Sequence, residues 1–451
     1  MAALGFVINF SIWSTWFFLA ANAIKNMKRL NKFICFTAFI IPFYSLSFGV
    51  LGFQFSFFKL LPFILIVFYF ARFGKMNKYL LLFLIYGVGV SCVGYALAYF
   101  GGGFEFAIKH GRPAITTYLG PIVQGMMLLT IFTQLITASK DIKLQSDKAL
   151  TYFGYGCVVL TLIGYLQFCF YFLGIPWFDF WFLGDALGRS IEGGLNTHAM
   201  DRGFYRMSSL GGEPRHFAAV LVLGLLTQQY LFSVRRQFPN KVNKYRLAIL
   251  CLLLSGIILS ISASALLALL IVIFIFYAFT NRLILLACIS VIALLFFILF
   301  KNPFVETLLW KLSSLDMIIY AAKKDGFALR AIVHSWYYFT FGYGINLADL
   351  FVPDYYLIQE TPFGVVNRYN KIDPMEGSIV PTSAILQIII NFGVVGSGLF
   401  FLFLKSYLRG TQKETRIFAV SLLGCVCVSS FLVFPIGIFL LALIINRDRS
   451  I

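Results

Sequence analysis

Charged side chains are scarce in this chain: they make up 12% of its 451 residues, and only 18 of the residues are acidic. An average soluble domain is about 25% charged. The deficit, together with 60% hydrophobic and 18% aromatic residues, excludes a soluble globular or disordered protein. It indicates a polytopic membrane protein with most of its length in the bilayer.

A cleavable leader is also missing from the pattern. The first apolar run, Leu4–Ala23, has no Lys or Arg ahead of it, and the first positive charge is Lys25. A signal peptide carries its positive charge before the apolar region. We therefore expect this run to stay as the first span, with the N-terminus outside the cytoplasm.

Motifs for metals and nucleotides are absent as well. There is no Asp-x-Asp pair, no phosphate-binding Gly-Lys-Ser loop and no zinc signature, and all eight cysteines lie within apolar runs. Such cysteines are typical of packed core thiols rather than disulfides or metal ligands. We expect no metal and no cofactor, and for a transferase this favours a lipid-linked donor.

The net charge of +18 falls entirely on a set of short loops. These loops hold 22 of the 36 Lys and Arg residues and 4 of the 18 acidic ones, so the rest of the chain is neutral. Short basic loops stay in the cytoplasm and do not indicate nucleic-acid binding. The loops are Lys25–Lys32, Arg72–Lys78, Lys140–Lys148, Arg235–Arg246, Arg282, Lys405–Arg416 and Arg447–Arg449.

The apolar runs predict an all-α polytopic membrane protein with about 13 transmembrane helices (12–14), since a span needs about 20 residues. Residues 1–451 form a single integral membrane domain in this prediction, with large periplasmic loops over 174–216 and 301–379. The N-terminus is periplasmic and the C-terminus cytoplasmic. The predicted spans are 4–23, 33–52, 54–71, 79–100, 114–138, 149–173, 217–234, a hairpin over 247–280 broken at Ser260–Ser264, 283–300, 380–404, and a hairpin over 417–446 broken at Pro435.

The first candidate site closes the loop over 174–216. Arg206 and the run Gly211-Gly-Glu213-Pro-Arg215-His216 lead directly into a predicted span. A carboxylate held there, beside two cationic side chains, is a candidate general base or sugar-hydroxyl ligand. The alternative for Glu213 is a structural cap on the next helix, because carboxylates favour helix N-termini.

The second candidate site lies in the loop over 301–379. Arg330 and His334 are four residues apart and would share one face of a helix. Arginine binds phosphate groups through paired hydrogen bonds, so this face is a candidate diphosphate site. The alternative is a solvated surface pair. Gly342 and Gly344 follow and permit a sharp turn.

Further basic residues in the predicted outer loops are candidates for the same binding site. Arg112 lies in a small outer loop with Lys109 and His110, and Arg189 lies in the first large loop. Each alone is typical of a solvated or charge-paired residue, whereas together they indicate an anionic ligand at the outer surface. The seven outer arginines are Arg112, Arg189, Arg202, Arg206, Arg215, Arg330 and Arg368.

With these elements the chain resembles bacterial O-antigen polymerases of the Wzy type, within the O-antigen polymerase and ligase superfamily. The resemblance covers the overall topology and three local features. They are the Gly-Gly-Glu213-Pro214 element entering a span; Arg330 followed by Trp336 and Gly342-x-Gly344; and Leu386-Gln-Ile-Ile-Ile-Asn-Phe-Gly393-Val-Val-Gly396 in the span after the large loop. Where ligases carry a His-Asn pair this chain has Thr382-Ser383, and the Arg-x10-Gly spacing of some polymerases is absent.

The resemblance implies a GT-C-like fold and a glycosyltransferase of the bacterial inner membrane. Donor and acceptor would be undecaprenyl-diphosphate-linked oligosaccharides, joined at the periplasmic face without nucleotide sugars. A chain-length regulator is an implied partner, beside membrane lipids. Glu213 or His334 would act on the attacking hydroxyl. The cations that would bind the diphosphate and substrate are Arg206, Arg215, Arg330, Arg189, Arg112 and His216.

Two alternatives stay open at this point. One is an O-antigen ligase, which transfers the glycan to the lipid A core. The other is a lipid-linked oligosaccharide flippase. Flippases need no large outer loops, and coupled transporters carry charges within their spans, whereas here Lys59 alone is near such a position. The sequence therefore favours the polymerase.

Overall fold

The structure is a computed structural model, and the part of the chain it describes falls into two compact units. Unit 1 comprises Met1–Gly74, Gln134–Leu308 and Gly410–Ile451, and unit 2 comprises Lys75–Thr133 and Leu309–Arg409. The described residues are 2–26, 29–43, 47–50, 53–56, 60–61, 64, 77–101, 145–173, 200–201, 204–209, 214–235, 243–280, 332–333, 335–345, 347–348, 351, 358–361, 364–367, 383–428 and 434–450.

Helices dominate both units. In unit 1 they are α1 (Ala2–Lys25), α2 (Leu30–Ile40), α4 (Ser146–Phe172), α5 (Pro214–Arg235), α6 (Asn243–Leu259), α7 (Ala263–Thr280), α10 (Lys413–Val428) and α11 (Phe434–Ser450). In unit 2 they are α3 (Lys78–Phe100), α8 (Trp336–Phe341) and α9 (Ala384–Leu408).

Five helices are long and apolar enough to cross a membrane, counted over the described residues. They occupy Val7–Lys25, Lys78–Phe100, Ser146–Phe172, Pro214–Val234 and Ile385–Leu408. Shorter apolar helices cover Leu30–Ile40, Ala248–Leu259 and Ser264–Ile275. The predicted class, a helical multi-pass membrane protein, is confirmed at this level.

In the described part of the chain, three two-stranded antiparallel hairpins lie between helices. They pair β1 (Ser47–Val50) with β2 (Phe53–Ser56), β3 (Met200–Asp201) with β4 (Phe204–Tyr205), and β5 (Ile358–Thr361) with β6 (Gly364–Asn367). The first pairs Phe48 with Phe55, and the third pairs Ile358 with Asn367.

The structure differs from the prediction after α1. Continuous spans were expected near 33–52 and 54–71, but α2 ends at Ile40 and β1 and β2 follow. Pro42 explains the end of α2, because a proline ring has no N–H and clashes with the carbonyl four residues earlier. Eleven helical residues extend about 16 Å, too short for a hydrocarbon core of about 30 Å.

Other predicted boundaries agree closely with the structure. The expected break within 247–280 lies at Ser260–Ser262, between α6 and α7, and the break near Pro435 separates α10 from α11. Helix α3 begins at Lys78 because the Asn77 side chain caps it, accepting from the Tyr79 N–H at 2.9 Å. The predicted spans near 114–138 and 283–300 lie outside the described residues.

Residues from three predicted short basic loops meet at one end of unit 1. The Gln145 N–H donates to the Asn31 side-chain oxygen at 3.0 Å, and Arg447 pairs with Asp147 at 2.5 Å. We call this the basic end of unit 1. Helices that start there, such as α4, carry their other termini to the opposite end, where the candidate site lies.

Candidate functional site

Three of the eight predicted site residues lie in the described part of the chain, and all three belong to unit 1. They are Arg206, Arg215 and His216. The other five lie outside the described residues: Glu213, His334, Arg330, Arg189 and Arg112. We define the candidate site as residues 205–209, the first turn of α5, and the turn Ser260–Ser262.

Arg206 is held against the end of α6. Its Nε donates to the Ser260 carbonyl at 3.2 Å, and the N–H of the next residue, Met207, donates to the Leu259 carbonyl at 3.0 Å. The last carbonyls of a helix have no partner inside that helix. Residues 206–207 satisfy two of them and thereby fix the position of the guanidinium.

The next two residues are buried serines with different roles. The Ser209 N–H donates to the Gln167 side-chain oxygen at 2.8 Å, and its Oγ donates to the Leu160 carbonyl at 2.6 Å, so it ties the segment to α4. Ser208 is 1% exposed, and its Oγ has no hydrogen-bond partner among the described residues. A buried hydroxyl of this kind marks a place for a water or ligand atom.

Backbone strain concentrates in the same place. Ser209 has φ 50° and Ile261 has φ 47°, and they are the two non-glycine residues with positive φ in the described part of the chain. A left-handed conformation costs roughly 1–2 kcal/mol for a residue with a Cβ, and Ile is among the least tolerant. Strained backbone of this kind clusters at functional sites.

Helix α5 brings Arg215 and His216 to this end. Pro214 is its first residue, which suits the fixed φ of proline. Arg215 is partly buried and His216 is 5% exposed. A helix N-terminus carries partial positive charge, and the Arg215 guanidinium lies in this first turn. A helix N-terminus of this kind suits an anionic group.

Packing places the start of α5 beside the end of α6. A Cβ added to Gly256, one turn before α6 ends, would lie 2.7 Å from Leu221 and 3.6 Å from Phe217. The helices approach closely because Gly256 has no side chain. Arg206, bound to Ser260, and the pair Arg215–His216 are therefore at the same end of unit 1.

Aromatic residues cover the flank of the segment. Tyr205 is buried and stacks on Tyr171 near the end of α4, with ring centroids 4.5 Å apart. Tyr171 is 39% exposed, and Phe172 and Leu173 beyond it are 67% and 69% exposed. Tyrosine rings of this kind suit a boundary between apolar and polar surroundings.

Sequence reasoning missed the contact that positions Arg206. Ser260 was noted only as an interruption of an apolar stretch, and Gln167 and Ser255 were not singled out. The Tyr165 hydroxyl of α4 donates to the Ser255 Oγ of α6 at 2.5 Å. Polar residues within long apolar helices are the signal that could have found them.

Unit 2 brings together two sequence motifs from the resemblance. The N–H groups of Tyr343 and Gly344, in the Gly342-x-Gly344 turn, donate to the carbonyls of Ile390 and Asn391 in α9, both at 3.0 Å. Neither motif supplies a charged group in the described residues. Their contact organises unit 2.

The chain matches no protein-family model, no curated protein and no solved structure. Among the described residues, no group of three His, Cys, Asp or Glu side chains lies close enough together to hold a metal ion. Functional assignment therefore depends on the residues of the chain.

Proposed function

We propose that the chain is a glycosyltransferase that polymerises undecaprenyl-diphosphate-linked oligosaccharide repeat units into O-antigen or a related surface polysaccharide. The reaction would take place at the periplasmic face of the bacterial inner membrane. The observation that carries the proposal is the position of Arg206, Arg215 and His216 at the end of unit 1 opposite to the basic end.

Charge distribution supports this placement. The basic end collects residues from the loops that the positive-inside rule assigns to the cytoplasm. The candidate site at the other end of the same helices would then face the periplasm. Lipid-linked repeat units are polymerised on that side, where no nucleotide-sugar donor is present.

The reaction transfers a glycan from one lipid to another. The bond between the anomeric carbon and the diphosphate oxygen breaks, and the acceptor hydroxyl oxygen forms the new glycosidic bond. The hydroxyl proton passes to a base, for which Glu213 and His334 are the candidates, and undecaprenyl diphosphate leaves with the electron pair. No oxidant, nucleotide or metal is needed for this balance.

The cationic residues suit the charge that develops on the leaving diphosphate. A positioned donor stabilises developing charge better than a mobile one, because it needs no reorganisation during the reaction. The bond from Arg206 to Ser260 holds the guanidinium in one orientation. Arg215 and the N-terminus of α5 add positive potential from a second direction.

The decisive experiment is a glycan ladder on a gel from a strain deleted for this gene. The proposal expects loss of the ladder, with a single repeat unit still attached to the lipid core, and recovery when the chain is supplied again. Loss of every attached unit, with polymer accumulating on the lipid carrier, would instead identify a ligase. Unpolymerised units accumulating on the cytoplasmic face would identify a flippase.

A further inference from the structure

Helix α8 and the residues after it contact the middle of two membrane-spanning helices. The Phe341 carbonyl, at the end of α8, accepts from the Tyr86 hydroxyl of α3 at 2.8 Å. The Ile345 N–H donates to the Ser91 Oγ, also in α3, at 3.2 Å. On the other side, Tyr343 and Gly344 bond to α9.

The two spanning helices, α3 and α9, are antiparallel, so the distance of a residue from the end of its helix gives its depth in the membrane. Asn77, before the start of α3, bonds to Ser406 near the end of α9 at 3.4 Å. The end of α3 at Phe100 and the start of α9 at Ala384 therefore lie at the other side. At 1.5 Å per residue, Tyr86 is about 21 Å from Phe100, and Ser91 is about 14 Å from it.

These depths reach the middle of a bilayer. The hydrocarbon core is about 30 Å thick, so its centre lies about 15 Å from either surface. Along α9, Ile390 lies about 9 Å below Ala384 and Gly393 lies about 14 Å below it. Both helices thus place residues 341–345 well inside the hydrocarbon region.

The segment enters and leaves on the same side. Tyr338 in α8 stacks on Tyr343, with ring centroids 4.0 Å apart, so it is level with the returning chain and above the tip at Phe341. Gly342 turns the chain with φ 84°. Ile332, before α8, and Ala348, after the turn, both pack in one buried cluster with Ile390.

Backbone hydrogen bonding fits immersion in lipid. The four consecutive N–H groups of residues 342–345 donate to the Tyr338 carbonyl, the Ile390 carbonyl, the Asn391 carbonyl and the Ser91 hydroxyl. Non-helical backbone is tolerated at membrane depth only when protein groups satisfy it in this way. A loop in water would have no such requirement.

The outer face of α8 is aromatic and exposed. Trp336 is 76% exposed and Phe339 is 45% exposed. Its partner helices expose apolar residues beside the contact: Ile85, next to Tyr86, is 61% exposed, and Val394, next to Gly393, is 49% exposed. At this depth the medium that covers exposed apolar side chains is lipid acyl chain.

We propose that the described residues between 335 and 348 form a re-entrant hairpin, in which α8 descends into the bilayer and the non-helical residues after it return, and whose exposed aromatic face binds lipid acyl chains. This topology holds whatever reaction the chain performs. It places part of the predicted outer loop over 301–379 within the membrane.

Tryptophan quenching by brominated lipids tests the hairpin. The full chain is reconstituted in bilayers of dioleoyl phosphatidylcholine or its dibrominated analogue, and the emission of Trp336 is obtained as the difference between the wild type and Trp336→Phe. We expect at least a twofold loss of that emission in brominated lipid and little loss with aqueous iodide. Strong quenching by iodide, without quenching by bromine, would overturn the proposal.

A second variant measures the depth of α8 and provides a reporter that does not depend on the emission of Trp336. Phe339→Trp in the Trp336→Phe background moves the reporter one turn toward the tip, and bromines placed deeper along the chain should quench it more strongly than they quench Trp336. Ile85→Trp in the same background is the matched control, since α3 itself places it in lipid. Quenching of the Ile85→Trp reporter without quenching of the Phe339→Trp reporter would place α8 outside the bilayer.

Discussion

Gly342 and Gly393 lie back to back where α8 ends and α9 bends. A Cβ on Gly342 would be 2.5 Å from the Asn391 carbonyl oxygen and 2.6 Å from the Gly393 nitrogen, and a Cβ on Gly393 would be 2.5 Å from the Gly342 nitrogen. Gly393 has φ 62° and ψ −169° inside a helix. The close approach and the bend both require residues without side chains.

Substitution at this contact should destabilise the protein. Gly393→Ala adds a Cβ in a conformation that L-residues avoid and drives it into the backbone of α8. We expect the free energy of unfolding to fall by about 2–3 kcal/mol, measured as a lower thermal midpoint in detergent micelles.

Gly398→Ala is the matched control in the same helix. Nothing lies within 4 Å of a Cβ at this position, and alanine favours helix over glycine by about 0.5–1 kcal/mol. The thermal midpoint of Gly398→Ala should equal or exceed that of the wild type. Equal losses for both variants would show that α9 does not depend on the contact with Gly342.

Tyr86 is expected to stabilise the bend through its hydroxyl. That O–H faces the Phe341 carbonyl at 2.8 Å and the Phe392 carbonyl at 3.1 Å. Tyr86→Phe leaves carbonyl oxygens without this donor, at a cost of about 1–3 kcal/mol. Tyr152→Phe is the control, because Tyr152 is exposed and its ring contact with Tyr155 is kept. A Tyr86→Phe midpoint equal to that of the control would refute the role.

Arg206 should affect glycan polymerisation more than folding. Arg206→Ala removes the positioned guanidinium, and we expect the long-chain ladder to be lost while membrane abundance stays within about twofold of the wild type. Arg206→Lys should restore little, since an ammonium cannot reproduce the fork of donors. Arg409→Ala, at an exposed arginine, controls for loss of charge. A normal ladder in Arg206→Ala would remove Arg206 from the diphosphate site.

Ser208 and Ser209 are adjacent, but we expect their hydroxyls to have different roles. The Ser209 hydroxyl stabilises the fold, and the Ser208 hydroxyl is a candidate ligand-binding group. Ser209→Ala loses the bond to the Leu160 carbonyl, so we expect a loss of about 1 kcal/mol in the free energy of unfolding. Ser208→Ala removes a buried hydroxyl without a partner among the described residues, and the thermal midpoint should hold or rise. A drop in polymerisation for Ser208→Ala at unchanged stability would assign the hydroxyl to substrate; equal destabilisation by both would assign it to packing.

Helix positions followed from the sequence because the bilayer sets a minimum apolar length. The predicted span 79–100 is α3, Lys78–Phe100, and the predicted span 149–173 is α4, Ser146–Phe172. The prediction for the region after α1 was wrong, because apolar content alone does not distinguish a membrane span from a short helix followed by a hairpin. Pro42 was the local signal.

The candidate site was predicted only by residue type. Arg206, Arg215 and His216 were selected because cations in outer loops suit an anionic ligand. Their roles stay predictions, as do those of Glu213, His334, Arg330, Arg189 and Arg112. The partner of Arg206, the Ser260 carbonyl, is 54 residues away in the chain. A contact between distant backbone and side-chain atoms has no periodic pattern that a sequence reveals.

The sequence by itself determined the class of protein and the distribution of charge, since both depend on composition and on run length along the chain. Tertiary structure alone decided that Gly342 meets Gly393, that Tyr86 bonds at the tip of α8, and that Arg206 rests on the end of α6. The physical reason is that transfer into lipid acts on each segment separately, whereas close approach and hydrogen bonding at depth depend on which segments become neighbours.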